Sequence, residues 1–297
     1  MIRLTYYFVI ILAAQAFSCD TNNAGARNVG ALRSDENKTL TAIATPDGRA
    51  LTVGDVSFNC RRPELCEIEA SEVAAFPLQD KDDKPDSAHP RYLSFKFRGD
   101  YGLRSAQSQS QPEVRVYSVQ EFRQCLAKSP GDVQDFDNRV RDLTRLLNDE
   151  AGRPENKVPY LPFTDQVQQF VSRMTYVSFK EGKGIIYLTQ FNSNPWIINN
   201  EALTYVFQGL TNDGRTYVLG RFPVKAEGLP DSWRADSSEG YVLPPHFYKP
   251  EDRRRNELEY QNYVGNVKKI LNSLRPDQFQ PDLKFFDELM SSIEIQK

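Results

Sequence analysis

The stretch Leu203-Thr204-Tyr205-Val206-Phe207-Gln208-Gly209-Leu210-Thr211-Asn212-Asp213-Gly214-Arg215-Thr216-Tyr217-Val218 decides the fold. Asn212-Asp213-Gly214 is a strong turn signal, because Asn, Asp and Gly tolerate positive φ. It separates two strand-like segments, residues 203–211 and 215–224, and so predicts a β-hairpin. In the first segment one alternating face carries Leu203, Tyr205 and Phe207, and the other carries Val206. Since both faces are apolar, we place this hairpin at the centre of a sheet that is covered on both sides.

Other segments of the chain show the periodicities that predict helices and strands. Apolar residues recur at helical spacing over residues 131–148, 260–274 and 283–290, which predicts three amphipathic helices. Alternation and composition predict strands at residues 53–58, 67–73, 92–97, 113–119, 175–180, 184–191 and 293–295, and we expect the last of these to pair into the sheet. We therefore expect an α+β fold, an antiparallel sheet of about six to eight strands flanked by helices, in a single domain over residues 51–297.

The first 18 residues are typical of an export signal. Arg3 precedes an apolar run, Leu4–Ala14, which as a helix would span only about half of a ~30 Å hydrocarbon core. We predict a cleaved signal peptide over residues 1–18. Two cleavage sites fit the sequence. Cleavage after Ala16 would release a soluble protein, whereas Ala16-Phe17-Ser18-Cys19 resembles the bacterial lipobox, in which the cysteine is acylated and becomes the new N-terminus.

Residues 19–50 are polar and contain few large apolar side chains. Such a stretch cannot bury enough surface to offset its ordering entropy, and we predict a flexible linker. Because a lipoprotein needs a tether of this kind, we favour a lipid anchor on Cys19, with the membrane as a partner and the cell envelope as the location. A soluble secreted protein is the alternative that stays open.

Cysteine usage and charge limit the classes of function. Cys60 and Cys66 lie between two strand-like segments at a spacing that a local disulfide can close, which agrees with an oxidising compartment. A metal site would need two further soft ligands, so we expect none. Cys125 falls in a helical pattern that predicts a buried, inert thiol. The net charge of −3 gives no broad electropositive surface for nucleic acid.

No catalytic motif stands out in the sequence. The chain has two histidines, His89 and His246, each beside a proline. The sequence signatures of serine hydrolases, zinc proteases and dinucleotide-binding folds do not occur. We therefore expect no cofactor, and an enzyme is the less favoured of two open interpretations.

The connection over residues 225–249 is long for a compact domain. Its aromatic residues argue against disorder, because aromatic side chains seek burial. One interpretation is a flap that packs over a sheet face or edge. The other is the wall of a ligand groove, for which the sequence offers Trp196, Trp233, Tyr241 and His246.

The block from Ile198 to Val218, with Phe222-Pro223-Val224 and Leu229-Pro230 after it, resembles a group of uncharacterised bacterial secreted proteins and lipoproteins. The likeness extends over most of residues 51–297, but the group has no assigned activity and implies no functional residues. The order of elements is also similar to the PsbP-like α/β/α sandwich, with Ser291–Ile295 in the place of its final strand. That similarity implies an accessory or binding role on an extracytoplasmic surface.

Two functions from different classes follow as hypotheses. The leading one is an extracytoplasmic, lipid-anchored binding or accessory protein with a protein or small-molecule partner. The rival is a secreted hydrolase whose site is assembled from scattered acidic residues around the 225–249 flap.

Overall fold

The structure, a computed structural model, describes residues 37–41, 43–44, 50–62, 67–98, 111–149, 157–232 and 253–296. The helices are α1 (Val119–Cys125), α2 (Pro130–Asn148), α3 (Arg253–Ser273) and α4 (Leu283–Ser291). The strands are β1 (Lys38–Leu40), β2 (Ile43–Ala44), β3 (Ala50–Val53), β4 (Val56–Asn59), β5 (Ile68–Val73), β6 (Tyr92–Phe97), β7 (Glu113–Ser118), β8 (Val167–Gln168), β9 (Ser172–Phe179), β10 (Gly182–Thr189), β11 (Phe191–Asn192), β12 (Thr204–Thr211), β13 (Thr216–Pro223), β14 (Lys225–Ala226), β15 (Phe279–Gln280) and β16 (Glu294–Ile295).

The predicted hairpin forms and lies near the middle of an eight-stranded sheet. The strand order is β1-β5-β6-β7-β13-β12-β10-β9, and every neighbouring pair is antiparallel. Leu210 pairs with Tyr217 across the turn, where Gly214 has a φ of 69°. The α+β fold and the strand number predicted from the sequence are therefore confirmed.

Each face of this sheet carries its own core. On one side α1 and α2 pack over the sheet, and the Phe122 and Phe136 rings stack with their centroids 4.9 Å apart. On the other side lie α3, α4 and a small sheet of order β16-β4-β3-β2. There Phe222 stacks on Phe286 of α4 at 4.3 Å, and Phe58 of β4 contacts Phe95 edge-on at 4.9 Å. We call the two sides the α1/α2 face and the α3/α4 face.

The three predicted amphipathic helices correspond to α2, α3 and α4, and two of the shorter predictions need correction. Residues 53–58 are not one strand, because Gly54 adopts a φ of 56° and turns the chain between β3 and β4, with Val53 paired to Val56. A glycine at the first position of a two-residue turn suits a tight hairpin. The short terminal strand, β16, pairs with β4 in the small sheet and not in the eight-stranded sheet.

The predicted linker, residues 19–50, reaches too far into the domain. Lys38–Leu40 pairs with β5, and Ile43–Ala44 pairs with β3. Lys38 and Thr39 are exposed and Leu40 packs against the core, so backbone hydrogen bonds and one apolar side chain hold this segment to a sheet edge. A count of apolar side chains misses the backbone contribution. Residues 1–36, with the predicted signal peptide and Cys19, lie outside the described residues. Among the helices of the described part of the chain, none is long and apolar enough to cross a membrane.

Phe207 occupies the centre of the α3/α4 face and has room there because its neighbours are glycines. Its ring lies against Gly184 and Gly209, and its Cα pairs with Gly220 on β13. A Cβ built on Gly209 would lie 2.8 Å from Phe207 Cζ and 2.9 Å from Phe179 Cε1. Such contacts are closer than atoms tolerate, so these positions require glycine for space.

We expect Gly220→Ala to destabilise the domain by about 1–3 kcal/mol, the usual cost of overpacking a core. The added Cβ would lie 2.8 Å from Phe222 Cε2 and 3.1 Å from Phe207 Cβ. The matched control is Gly265→Ala in α3, where a Cβ meets nothing within 4 Å; it should stabilise the domain by roughly 0.5–1 kcal/mol through helix propensity. Urea unfolding measures both. Equal effects of the two substitutions would contradict the packing of Phe207 on the glycines.

Candidate functional site

Most residues of the groove predicted from the sequence lie outside the described residues: Trp233, Tyr241 and His246. Trp196 is described and half-buried. Its backbone N–H donates to the Tyr260 hydroxyl of α3 at 3.3 Å, and that hydroxyl donates to Gln169 Oε1 at 2.6 Å. These bonds hold the chain around Trp196 against α3. The groove itself stays a prediction.

The base of the predicted flap, residues 225–232, is described and firmly held. Asn200 accepts a hydrogen bond from Ala226 N–H at 2.8 Å and donates to the carbonyl oxygens of Ala226 and Leu229. Beside this base an open groove is lined by the acidic residues Glu227, Asp231 and Asp277, with Lys225 among them. The rival hydrolase hypothesis stays a prediction, since the aromatic part of its flap lies beyond the described residues.

Two of the three cysteines of the predicted domain are described by the structure, and one is not. Cys60 is fully buried next to β4, but Cys66 lies outside the described residues, so their disulfide stays a prediction. Cys125 is a free, buried cysteine. Burial, with a smaller effect of Glu121, raises the pKa of its thiol to about 11. The thiol is therefore protonated at neutral pH, as expected of an inert cysteine.

A row of charged residues crosses four strands on the α1/α2 face, and sequence reasoning missed it. Glu69, Lys96, Glu113 and Arg221 are successive Cα partners on β5, β6, β7 and β13. We call these four residues the charged row. Its end towards the sheet centre is enclosed, because Glu113 is buried and Arg221 half-buried, whereas Lys96 is exposed.

Within this row, both carboxylate oxygens of Glu113 have partners. Its Oε2 lies 2.7 Å from Arg115 Nη2, and its Oε1 accepts a hydrogen bond from Ser94 Oγ at 2.6 Å. Arg115 Nη1 donates to the Tyr117 hydroxyl at 3.4 Å, and its guanidinium lies 5.3 Å from the centroid of the Tyr92 ring. These residues and Arg221 form what we call the polar patch: Tyr92, Ser94, Glu113, Arg115, Tyr117 and Arg221.

The two arginines of the polar patch are not fully satisfied. Within the described residues, Arg115 Nε and Arg221 Nε are buried and have no hydrogen-bond partner. Arg221 pairs in register with Glu113, yet no ion pair joins it to a carboxylate in the described part of the chain. A buried donor without an acceptor costs about 1–3 kcal/mol, and more when the group is charged. Arg221 is therefore a half-buried cation without a compensating partner among the described residues.

The phenols beside these arginines are neutral. Burial raises the pKa of Tyr92 and of Tyr117, and Arg115 counteracts it only in part. A neutral phenol can donate or accept a hydrogen bond but does not act as a base near neutral pH. The patch thus combines two permanent cations, neutral hydroxyl groups and one carboxylate that is already occupied, an arrangement suited to holding an anion.

A fixed loop and a buried network close the patch on the side of the sheet centre. Arg139 of α2 donates to the carbonyl oxygen of Tyr160 at 3.0 Å and lies over the Phe163 ring at 4.3 Å. Deeper in the same face, Gln208 donates to the Tyr187 hydroxyl at 2.9 Å and accepts from the Tyr217 hydroxyl at 2.8 Å. These contacts hold this side of the patch in one arrangement.

A second polar group lies on the opposite face, where β9, α3 and α4 meet. Arg173 has a φ of 51°, and it donates to the carbonyl oxygens of Leu271 and Leu274 at the end of α3. Cations are favoured at a helix C-terminus. Nearby the Tyr205 hydroxyl donates to Asp287 Oδ1 at 2.8 Å. Burial raises the pKa of Asp287, although Tyr205 and Arg173 each lower it. These contacts join three elements and explain the strained backbone of Arg173.

No protein-family model, characterised protein or solved structure that we compared with this chain matches it. The resemblance to bacterial secreted proteins and lipoproteins therefore stays a prediction.

One signal in the sequence could have pointed to the polar patch. Arg115 and Arg221 each stand inside a strand whose neighbouring residues are apolar, in Val114-Arg115-Val116 and Gly220-Arg221-Phe222. A charge inside a strand covered on both faces is expensive unless it has a partner. What the sequence alone does not give is the register that sets Arg221 opposite Glu113.

We expect Asp287→Asn to raise the free energy of unfolding at pH 7. Since the folded-state pKa of Asp287 is raised, its contribution to stability is full at low pH and is lost as the pH rises through that pKa. An amide keeps an acceptor for Tyr205 without the buried charge. Near pH 3, below the usual Asp pKa of about 3.9, the gain should vanish because the acid is protonated.

Thermal unfolding at both pH values checks this expectation. The matched control is Asp165→Asn, an exposed residue, which should change stability at neither pH. A less stable Asp287→Asn protein at pH 7 would contradict the account, since it would show that Tyr205 and Arg173 outweigh burial.

Proposed function

We propose that this protein is an extracytoplasmic, lipid-anchored binding or accessory module, and that the polar patch is its binding site. The observation that carries the proposal is Arg221, whose buried Nε has no partner among the described residues. Proteins rarely keep a half-buried guanidinium without an acceptor unless a ligand supplies one, because the group weakens the free protein.

The chemistry of the patch favours binding over catalysis. A hydrolase needs a nucleophile or a base poised near neutral pH. In the patch, burial raises the pKa of both tyrosines, so the phenols hold their protons. Glu113 accepts from Ser94 and pairs with Arg115, which occupies both of its oxygens. Groups of this kind orient and neutralise a ligand.

The anchor is supported by the N-terminal sequence. Arg3 and the apolar run Leu4–Ala14 are typical of an export signal, and Cys19 follows in a sequence that resembles a lipobox. A single acyl chain gives only marginal membrane binding, so stable anchoring takes a second chain or another membrane signal.

Intact mass of the mature protein from its native host tests the anchor. We expect a mature chain that begins at Cys19 and carries the added mass of its acyl groups, recovered with the membrane fraction. Cys19→Ser should abolish both the lipid mass and the membrane attachment. The matched control is Cys125→Ser, which changes a buried thiol of the domain and should leave both unchanged. A soluble mature chain that begins at Phe17 would overturn the lipid-anchored part of the proposal.

A further inference from the structure

We propose that the polar patch binds a single oxyanion, the carboxylate or phosphate group of a small ligand, with Arg221 as its principal donor. This inference rests on the proposed binding function and names the chemistry of its ligand. The residues of the patch lie on three paired strands, β6, β7 and β13.

The charge of the surface favours an anion. On the α1/α2 face the four strands of the charged row carry three cations, Lys96, Arg115 and Arg221, and two carboxylates, Glu69 and Glu113. Both carboxylates are engaged, Glu113 with Arg115 and Glu69 with Arg98. The surplus positive charge therefore resides on Lys96 and Arg221, and of these only Arg221 is half-buried, where charge interactions are strongest.

The donor geometry of arginine fits a carboxylate or phosphate group. A guanidinium presents its N–H groups as a planar fork that binds two oxygens at once. The guanidinium of Arg221 donates no hydrogen bond to a described residue. Arg115 adds a second buried Nε–H without an acceptor among the described residues. The half-buried ring of Tyr92 lies beside Arg115 and can contact the body of the ligand.

The alternating signs of the charged row favour one oxyanion over a chain of them. Neighbouring strands lie about 4.8 Å apart, so Glu113 stands midway between Arg221 and Lys96, which are about 10 Å apart. A second phosphate next to the first would meet the carboxylate of Glu113. A polyanion such as nucleic acid is therefore disfavoured, and a small ligand with one anionic group is preferred.

Such an oxyanion could belong to a free small molecule or to a lipid headgroup. The test uses the full mature chain purified from its host in a neutral detergent. Isothermal titration with sodium phosphate and with sodium acetate is compared with sodium chloride at equal ionic strength. We expect saturable binding of at least one oxyanion, and Arg221→Gln should weaken it about tenfold or more.

Two matched variants separate binding from folding. Arg221→Gln removes an uncompensated charge, so its melting temperature in chloride should equal or exceed that of the unmodified protein. Arg98→Gln removes an exposed arginine that pairs with Glu69 and should leave oxyanion binding unchanged. No saturable binding of either oxyanion, or equal binding by the unmodified protein and Arg221→Gln, would overturn the inference. The lipid anchor on Cys19 is measured separately and would survive that result.

Vesicles distinguish the two sources of the oxyanion. Phosphatidylcholine vesicles with and without phosphatidylglycerol are sedimented with the Cys19→Ser chain, which lacks the proposed anchor. Binding that needs phosphatidylglycerol and is lost in Arg221→Gln would support the inference with a lipid headgroup as the source. Saturable phosphate or acetate binding without vesicle binding would support it with a free small molecule. Vesicle binding that persists in Arg221→Gln would contradict a role for the patch in lipid recognition.

Discussion

The hairpin of β12 and β13 is buried on both faces, and this double burial limits which side chains fit against it on either side. On the α3/α4 face the large ring of Phe207 fits only because Gly184, Gly209 and Gly220 leave it room. On the α1/α2 face Gln208 is a buried polar residue and is tolerated because Tyr187 and Tyr217 satisfy its amide. Buried polar groups that are fully satisfied fix one arrangement of a core. The sheet is thereby a rigid platform on which strand register sets the position of every side chain.

That register produces a gradient of side-chain polarity along the strands of the α1/α2 face. A row of tyrosines, Tyr92, Tyr117 and Tyr217, pairs across three strands where α1 covers the sheet. Two residues further along the same strands the row contains Arg115, and two residues further again it contains Glu113 and Arg221. Polarity therefore increases stepwise along these strands, from tyrosines to charged residues. The polar patch lies at the polar end of this series, where Arg221 is half-buried and charge interactions are stronger than in water.

The elements of the fold could be predicted from the sequence, because each depends on local periodicity. The hairpin followed from Asn212-Asp213-Gly214, and α2 from the spacing of its apolar residues. The Gly54 turn was missed, since one glycine between alternating residues does not interrupt a strand pattern. The candidate site could not be predicted, because it depends on pairing between β7 and β13, which are about a hundred residues apart in the chain. Sequence reasoning selected aromatic residues of a long connection and passed over single charges inside apolar strands.

The most direct test of oxyanion binding at the polar patch is the ¹⁵N–¹H NMR spectrum of the arginine Nε–H groups during titration with phosphate. The buried Nε–H of Arg221 lacks an acceptor among the described residues in the free protein. If the patch binds an oxyanion, the Arg221 resonance moves downfield to saturation and its exchange with water slows, while the exposed Arg98 shows no saturable change. An Arg221 resonance that does not respond, or that responds no more than Arg98, would contradict the binding site described above.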